Sequence, residues 1–333
     1  MTRGEQIYNY PLYSIKRFPA FIKYCIPVAK QIGGGRWLSV LIDMIWCNLR
    51  YGAMDSRDYL LFEFDKKSAL ERNSFFTKRR YFKLIKHFNK EVFLRLVDKN
   101  EMYIEYSNFI KRRWMLINQE TSEKDVLNFV CQYDNLLIKP MSAEQGQGVS
   151  IINCKDKDSL KNAIALKDKK PFILEELLHN CKEMNIINPS SLNTLRVFVI
   201  VPYGKDPIVI SVSLRCGCGK SVVDNWGAGG ICYPVDIESG IIYTYGRDKK
   251  GNTYIFHPGS HVQMVGMRIP FYKDAINCAI QCTKHNKDVI YTGVDLALTP
   301  TGPELVELNF PGGHDILQAI DQKGKNKLMQ SII

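Results

Sequence analysis

Near the carboxyl end, the chain reads Gly293-Val294-Asp295-Leu296-Ala297-Leu298, then Thr299-Pro300-Thr301-Gly302, then Leu305-Val306-Glu307-Leu308-Asn309. Two apolar runs joined by a turn with proline and glycine predict a β-hairpin. Alternate residues of a strand share a face, so Glu307 and Asn309 project together, and Asp295 joins them if the strands pair in register. Such oxygen ligands suit Mg²⁺. The pattern predicts a magnesium site, with three polar residues on the wet face of an ordinary hairpin as the alternative.

A lysine stands at the end of a second apolar run, residues 136–139, just before a loop that contains Gly146 and Gly148. Glycines let backbone N–H groups approach phosphate oxygens, and an ammonium group adds a point charge. The loop has neither the Gly-Lys-Ser/Thr of a Walker A motif nor the G-x-G-x-x-G spacing of a dinucleotide site. It indicates a phosphate site of another kind, although the loop alone would be an ordinary turn.

A third apolar run, residues 171–178, leads into Glu175 and Glu176. A strand that turns into a connecting segment can offer adenine an apolar slot and main-chain hydrogen-bonding groups. A carboxylate there could hold the exocyclic amine or a ribose hydroxyl. The alternative is a solvated pair of acids at the end of a strand.

In this order, the motifs resemble the ATP-grasp superfamily, in the branch associated with sugar transfer and bacterial surface polysaccharides. Further likeness lies in Ser191-Leu192-Asn193-Thr194-Leu195-Arg196-Val197, Leu214-Arg215-Cys216-Gly217, Val223-Asp224-Asn225, Gly229-Gly230-Ile231 and Gly293-Val294-Asp295. The resemblance covers most of the chain from about residue 49. It implies an α+β ATP-grasp fold with two α/β lobes that clasp the nucleotide. The expected division is a mainly helical extension over 1–75, a lobe over 76–175 and a lobe over 176–333.

The resemblance also implies roles for individual residues. ATP would be held by Lys78 (with Lys83 as its rival), Lys139, Gly146, Gly148, Glu175, Glu176, Leu177 and Glu183. One or two Mg²⁺ ions would be held by Asp295, Glu307 and Asn309, and the γ-phosphate and the anionic intermediate would meet Arg196 and Arg215. An acidic sugar or amino-acid-type acceptor would meet Asp224, Asn225, Gly229 and Gly230, unless that segment is only a glycine-rich connection.

One position departs from the superfamily. In its amino-acid ligases an arginine stands two residues before the metal-binding aspartate, and here that position is Gly293. The leading hypothesis is an ATP- and Mg²⁺-dependent carboxylate–amine ligase that acts through an acyl-phosphate on an acidic sugar or glycan precursor. Because of Gly293, transfer of the γ-phosphate to a hydroxyl stays open. A non-catalytic nucleotide-binding assembly protein is the third alternative.

The composition allows these functions. The chain has 333 residues, which predicts about two domains. A formal net charge of +11 favours anionic partners such as a nucleotide, an acidic sugar or a membrane surface. The basic residues between 66 and 113 form no helix-turn-helix, RRM or zinc-finger pattern, so nucleic acid is not expected. The ten cysteines show no paired spacing and no secretory leader precedes them, which indicates a cytoplasmic protein.

The longest near-apolar run is residues 37–49, whose spacing is helical. It is shorter than the ~20 apolar residues that span a bilayer. A helix packed against the rest of the protein is the default interpretation. Nearby basic residues allow the alternative of peripheral contact with an anionic inner leaflet: Lys16, Arg17, Lys23, Lys30 and Arg36.

The local patterns also predict elements elsewhere in the chain. Helices are expected near residues 79–90, 122–132, 158–166 and 271–285, and strands around 92–97, 102–106, 197–201, 208–214 and 231–245.

Overall fold

The computed structural model describes residues 3–10, 18–141, 148–156, 158, 165, 170–219, 221 and 223–332. Its helices are α1 (Arg3–Tyr8), α2 (Phe18–Gly33), α3 (Trp37–Tyr51), α4 (Ser56–Leu61), α5 (Ala69–Ser74), α6 (Lys78–Ile85), α7 (Lys90–Leu96), α8 (Lys99–Glu105), α9 (Glu123–Val130), α10 (Lys182–Ile187), α11 (Tyr272–His285), α12 (Ile316–Ala319) and α13 (Asn326–Gln330). Its strands are β1 (Trp114–Ile117), β2 (Asn135–Pro140), β3 (Ser150–Asn153), β4 (Phe172–Glu176), β5 (Thr194–Ile200), β6 (Ile208–Cys216), β7 (Ile231–Val235), β8 (Gly246–Arg247), β9 (Thr253–Tyr254), β10 (Tyr291–Thr299) and β11 (Gly302–Asn309).

The smaller sheet has four antiparallel strands in the order β1-β4-β2-β3. One face carries apolar side chains of β2 and β4, such as Leu136, Ile138 and Leu174, and α9 covers it with Val126 and Phe129. Because side chains alternate along a strand, the residues between these point to the opposite face. That second face is the one that matters for the site.

The larger sheet has seven antiparallel strands in the order β11-β10-β5-β6-β7-β8-β9. The predicted helix near 271–285 is present as α11, which packs across β11, β10, β5 and β6. The hairpin prediction is also confirmed, since β10 and β11 pair antiparallel with Asp295 directly opposite Glu307. Both faces of β5 and β10 are buried, so the polar residues on them lie in the interior of the protein.

The strands expected around 92–97 and 102–106 are wrong: these residues form helices α7 and α8. Asn89 and Asp98 are their N-caps, and each side chain accepts hydrogen bonds from two backbone N–H groups of the first turn. The aromatic and β-branched residues there favour strands locally, but capping and burial of Val92, Phe93 and Leu96 on one side select a helix. The expected helix near 158–166 lies outside the described residues apart from 158 and 165.

The N-terminal part is helical, as expected. Side chains of α2, α3 and α4 and of the segment after α4 form a hydrophobic cluster of their own, which also takes in Trp226 and Ile320. Phe75 packs into this cluster, whereas the next residue, Phe76, packs into the large cluster around the seven-stranded sheet. The division after residue 75 stays a prediction, and the helices over 78–105 share their core with the larger sheet.

Candidate functional site

A cleft of about 600 Å³ lies between the two sheets. Ten of the predicted site residues line it: Lys139, Glu175, Leu177, Arg196, Arg215, Asp224, Asn225, Asp295, Glu307 and Asn309. They come from both sheets and from connections separated by up to about 170 residues of sequence. The fold thus brings together, in one cavity, most of the groups that the motifs single out.

The wall from the smaller sheet combines apolar surface with one ion pair. Leu137 and Lys139 share a face of β2, and Ile151 and Glu175 stand opposite Leu137 on the neighbouring strands. All four line the cleft. The Nζ atom of Lys139 lies 2.6 Å from Oε1 of Glu175. The face is therefore mainly apolar, with one lysine whose charge is already matched.

Glu175 is the centre of a buried network. Its Oε2 accepts hydrogen bonds from Nε of Arg112 at 2.7 Å and from the hydroxyl of Tyr103 at 2.7 Å. Burial raises the pKa of Glu175, but Lys139 and Arg112 outweigh burial and hold that pKa at about 2. Burial lowers the pKa of Lys139, yet Glu175 keeps it above its usual value. Both groups are therefore charged at neutral pH.

Arg112 links the two sheets through hydrogen bonds to both, a role that its position in the sequence does not predict. It is buried, and besides Glu175 on β4 it donates from Nη1 to Oε1 of Glu304 at 3.0 Å and to the carbonyl of Leu305 at 2.7 Å, both on β11. In the sequence it belongs to the basic run before β1, a pattern typical of a solvated surface. No local signal separates it from its exposed neighbour Arg113.

The wall from the larger sheet is dominated by charge. Asp295 on β10 stands opposite Glu307 on β11 and opposite Arg196 on β5. The register of β10 and β11 shifts just after Asp295, which leaves Val306 as an extra residue beside Glu307. The bulge places Val306 beside Glu307, and both line the cleft together with Leu308 and Asn309.

Two arginines hold Asp295. Arg196 binds both carboxylate oxygens, through Nε to Oδ1 and through Nη2 to Oδ2 at 2.7 Å. Nη1 of Arg215 donates to Oδ2 at 2.8 Å, and its Nη2 donates to Asp224 at 2.9 Å. Burial raises the pKa of Asp295, but the two arginines outweigh it and hold that pKa below its usual range. Burial lowers the pKa of Arg215, and the two aspartates more than compensate.

This arrangement bears on which residues fit Mg²⁺. A carboxylate offers about four lone-pair positions. In Asp295, arginine donors take three of them, and Nδ2 of Asn309 approaches Oδ2 at 3.4 Å. Glu307 is only partly buried and stands beside them. The side-chain oxygens of Glu307 and Asn309 are the kind of ligand that a hard cation such as Mg²⁺ prefers. The oxygens of Asp295, in contrast, already accept hydrogen bonds from Arg196 and Arg215.

The side chain of Arg196 packs against Gly293, which has no side chain of its own to block it. A Cβ atom at residue 293 would stand 3.3 Å from both Cδ and Nη1 of Arg196 and 3.3 Å from the ring of Phe198. Arg196 therefore lies against the glycine backbone, in the space that a side chain at residue 293 would enter.

Two predicted nucleotide contacts lie elsewhere. Glu176 is on the opposite face of β4 from Glu175, because consecutive strand residues alternate, and it accepts a hydrogen bond from the backbone of Arg113 at 3.2 Å. Lys78 does not line the cleft. Its Nζ lies 2.6 Å from a carboxylate oxygen of Asp55. Burial lowers the pKa of Lys78, but Asp55 outweighs burial and keeps that pKa above its usual value. Its rival Lys83 is exposed on α6 and does not line the cleft either.

The remaining predicted residues that the structure describes are also outside the lining. Glu183 is exposed in the first turn of α10 and borders a separate shallow depression. Gly230 packs the loop against the backbone of residue 224, where a Cβ would meet the Asp224 carbonyl at 2.1 Å, whereas Gly229 adopts a left-handed backbone with φ +97° and a Cβ there would meet no atom within 4 Å. Gly148 turns the chain into β3 with φ +71°, and Gly146 lies outside the described residues.

Several lining residues were not predicted. The basic one from the helical part is Lys99, whose Nζ donates to the carbonyl of Pro140 at 3.0 Å. His179, Asn180, Ser190 and Ser191 line the cleft beyond β4. Apolar contributions come from Met102, Met141, Val149, Leu178, Val306 and Leu308. Lys99 had no distinguishing signal, since its position depends on the capped helix α8.

The sequence of residues 73–333 matches the protein family described as sugar-transfer associated ATP-grasp, which is most of the chain. No curated protein matches the chain.

Solved structures similar to the chain include three enzymes. The VanG D-Ala:D-Ser ligase from Enterococcus faecalis is 13% identical, with a TM-score of 0.46, over 81% of this chain and 68% of that one. The D-alanine–D-alanine ligase from Bacillus anthracis is 16% identical, with a TM-score of 0.41, over 73% of this chain and 64% of that one. The N5-carboxyaminoimidazole ribonucleotide synthetase from Thermotoga maritima is 15% identical, with a TM-score of 0.40, over 67% of this chain and 44% of that one. The chain spans less than two thirds of the length of the last two.

Proposed function

Because the chain belongs to the sugar-transfer associated ATP-grasp family, we propose that it is an ATP- and Mg²⁺-dependent ligase that joins a carboxylate to an amine through an acyl-phosphate. The observation that carries this proposal is the division of the cleft. One wall is apolar with a single lysine, and the opposite wall carries two buried arginines beside Glu307. A nucleotide needs the first kind of surface for its base and the second for its phosphates.

The adenosine is proposed to lie on the smaller sheet. Leu137, Ile151 and Leu308 supply apolar contacts, and the backbone beyond Glu175 supplies hydrogen-bonding groups near Leu177. Lys139 is proposed to contact the α- and β-phosphates. The ammonium group of Lys139 stays charged because it pairs with Glu175. Arg112 also pairs with Glu175 and holds that carboxylate in place, so Lys139 can turn toward the phosphates while Glu175 stays where it is.

The reacting groups are proposed to meet at the larger sheet. A substrate carboxylate oxygen attacks the γ-phosphorus, the bond from that phosphorus to the β–γ bridging oxygen breaks, and ADP leaves. An amine nitrogen then attacks the acyl carbon, the C–O bond to phosphate breaks, and the nitrogen loses a proton. Arg196 and Arg215 face the charge that develops on these oxygens, so catalysis rests on positioning and charge neutralisation.

Mg²⁺, held by Glu307 and Asn309 together with the phosphates, would neutralise phosphate charge. Asp295 is proposed to fix the two arginines rather than to bind the ion directly, because its acceptor positions are used by them. Arg196 in turn supplies positive charge beside Gly293, the position at which amino-acid ligases of the superfamily carry an arginine.

The acceptor is proposed to be an acidic sugar or another acid of a glycan precursor, bound near Asp224 and Asn225 at the arginine end of the cleft. Burial raises the pKa of Asp224 even though Arg215 opposes that change. The family description supports the link to sugar transfer. A cytoplasmic role in surface-polysaccharide synthesis follows from that link as a proposal.

The test is to measure ADP and phosphate release with candidate uronic acids and amines, separately and together. A ligase releases phosphate only when both are present, and hydroxylamine traps the acyl-phosphate as a hydroxamate when the amine is left out. Turnover with a hydroxyl acceptor alone, which yields a phosphorylated product and no hydroxamate, would replace the ligase with a phosphotransferase. ATP binding without any turnover would favour the assembly-protein alternative.

A further inference from the structure

We propose that helix α3 and the helix before it form a docking surface for an anionic lipid bilayer. This inference is independent of the reaction in the cleft. It rests on the side chains of α3 that the fold leaves uncovered and on the charges around them.

Four large apolar side chains of α3 are exposed: Leu38 at 58%, Ile42 at 67%, Trp46 at 55% and Leu49 at 66%. Their spacing of four, four and three residues places them within a sector of about 80° on an α-helix. We call this set the apolar stripe. Single exposed apolar residues need no explanation, but a continuous stripe over three turns of one helix marks an interaction surface.

The opposite side of α3 packs against the rest of the protein. Met44, Cys47 and Tyr51 are buried in the N-terminal hydrophobic cluster. The helix is thus apolar on both sides, and the described part of the chain covers only one of them. A helix of this kind is normally buried all round, so the apolar stripe lacks its partner.

The charges around the apolar stripe identify the kind of partner. Between residues 18 and 51 the chain carries Lys23, Lys30, Arg36 and Arg50, all exposed, and a single acidic residue, Asp43. Asp43 is neutralised, since Nη1 of Arg72 binds its Oδ1 at 2.7 Å and the hydroxyl of Tyr59 binds its Oδ2 at 2.7 Å. The surface therefore has one sign of charge, complementary to anionic headgroups.

Position along the helix strengthens the match. Arg50 follows Trp46 by four residues and so flanks the apolar stripe, and Lys30 of α2 lies over the ring of Trp37 at 5.5 Å, next to the start of α3. Apolar side chains bordered by cations, with a tryptophan among them, are typical of helices that lie in the interface of a membrane. A second copy of the chain would bring two basic rims together, which disfavours self-association.

The proposed contact is peripheral. Within the described ranges, no helix is both long and apolar enough to cross a bilayer.

The experiment is co-sedimentation of the full chain with phosphatidylcholine vesicles that contain or lack phosphatidylglycerol. Binding is expected only with phosphatidylglycerol and should weaken with added salt. Ile42→Ser should reduce the partition coefficient about tenfold or more. Its matched control is Ile186→Ser, at a helical isoleucine that is 56% exposed elsewhere, and this change should have no effect.

A charge pair and a spectroscopic signal complete the design. Arg50→Gln should weaken binding about fivefold, while Arg57→Gln, at another exposed arginine, should weaken it clearly less. Vesicles should shift the tryptophan emission to the blue, and Trp46→Phe should remove most of that shift while binding persists. Absence of vesicle binding, or equal effects of Ile42→Ser and Ile186→Ser, overturns the proposal. A dimer without lipid that Ile42→Ser converts to a monomer also overturns it, since a second copy would then cover the apolar stripe.

Discussion

The guanidinium group of Arg196 lies against the backbone of Gly293, so close that a Cβ atom at residue 293 would stand 3.3 Å from its Nη1. The two residues are on neighbouring strands, β5 and β10, and Asp295 fixes the arginine from two positions further along β10. The glycine that departs from the superfamily pattern therefore does not leave an uncharged gap. It makes room for a cation that arrives from the adjacent strand.

The first prediction concerns this contact. Gly293→Ala should lower kcat on the order of tenfold, because the added methyl group displaces Arg196 by a few tenths of an ångström and small misplacements in a reaction site are costly. ATP affinity should change little. Gly35→Ala is the control, since a Cβ there meets no atom within 4 Å. Steady-state kinetics on both variants measure the effect. An unchanged kcat for Gly293→Ala would contradict the proposed role of Arg196 in the reaction.

The second prediction separates metal binding from folding. Glu307→Gln should keep the fold and abolish Mg²⁺-dependent turnover. It should also weaken ATP binding in the presence of Mg²⁺ by about tenfold or more, because loss of a group that merely orients a metal ligand typically lowers metal affinity by that much. Calorimetric titration of ATP with and without Mg²⁺ measures the change. Glu238→Gln, at an exposed glutamate in a turn, should behave like the native chain. Full activity of Glu307→Gln would mean that the metal assignment is wrong.

The third prediction concerns Lys139. Lys139→Ala should weaken nucleotide binding by about 1.5–3 kcal/mol, the range for a hydrogen bond to a charged group. The fold should survive, since Glu175 keeps its bonds to Arg112 and Tyr103. Equilibrium binding of ADP and of ATP, combined with a thermal unfolding curve, tests both halves. Equal affinities of native chain and variant would place the phosphates elsewhere.

The fourth prediction tests the link between the sheets. Arg112→Gln should reduce the free energy of unfolding by about 3–5 kcal/mol, because it removes the cation that pairs with buried Glu304 and one of the cations that pair with buried Glu175, which keeps Lys139. The matched control is the neighbouring arginine: Arg113→Gln removes an exposed guanidinium and should cost at most about 1 kcal/mol. Guanidinium unfolding curves give both values. Similar losses in the two variants would contradict the role of Arg112 as a buried link.

The fifth prediction is a dependence of stability on pH. The pKa of Glu175 is about 2 in the folded chain against an ordinary value of 4.5, so its ionised form is favoured by folding. Its contribution, about 3 kcal/mol, is therefore present above pH 4.5 and is lost as the pH falls toward 2. Unfolding curves at a series of acidic pH values should show this loss, and a Glu175→Gln variant should lack that part of it. Identical slopes would exclude Glu175 as its source.

Local pattern was sufficient wherever the residues that matter are near one another in the chain. Turn residues between two apolar runs predicted the hairpin, and the side-chain period of two predicted that Glu307 and Asn309 share a face. The helical spacing of residues 37–49 likewise predicted α3. The same local approach failed for α7 and α8, because strand-favouring side chains there were overridden by caps and by burial against the larger sheet.

The sequence by itself determined the family, the hairpin, and the residue types that a nucleotide site requires, because these depend on spacing over a few residues. Only the tertiary structure decided which of Glu175 and Glu176 faces the cleft, that Lys99 rather than Lys78 reaches it, and that Arg112 joins the two sheets. It also decided that Asp295 is held by Arg196 and Arg215. These outcomes depend on which strands become neighbours, and ion pairs between residues 80 to almost 200 positions apart leave no periodic signal in the chain.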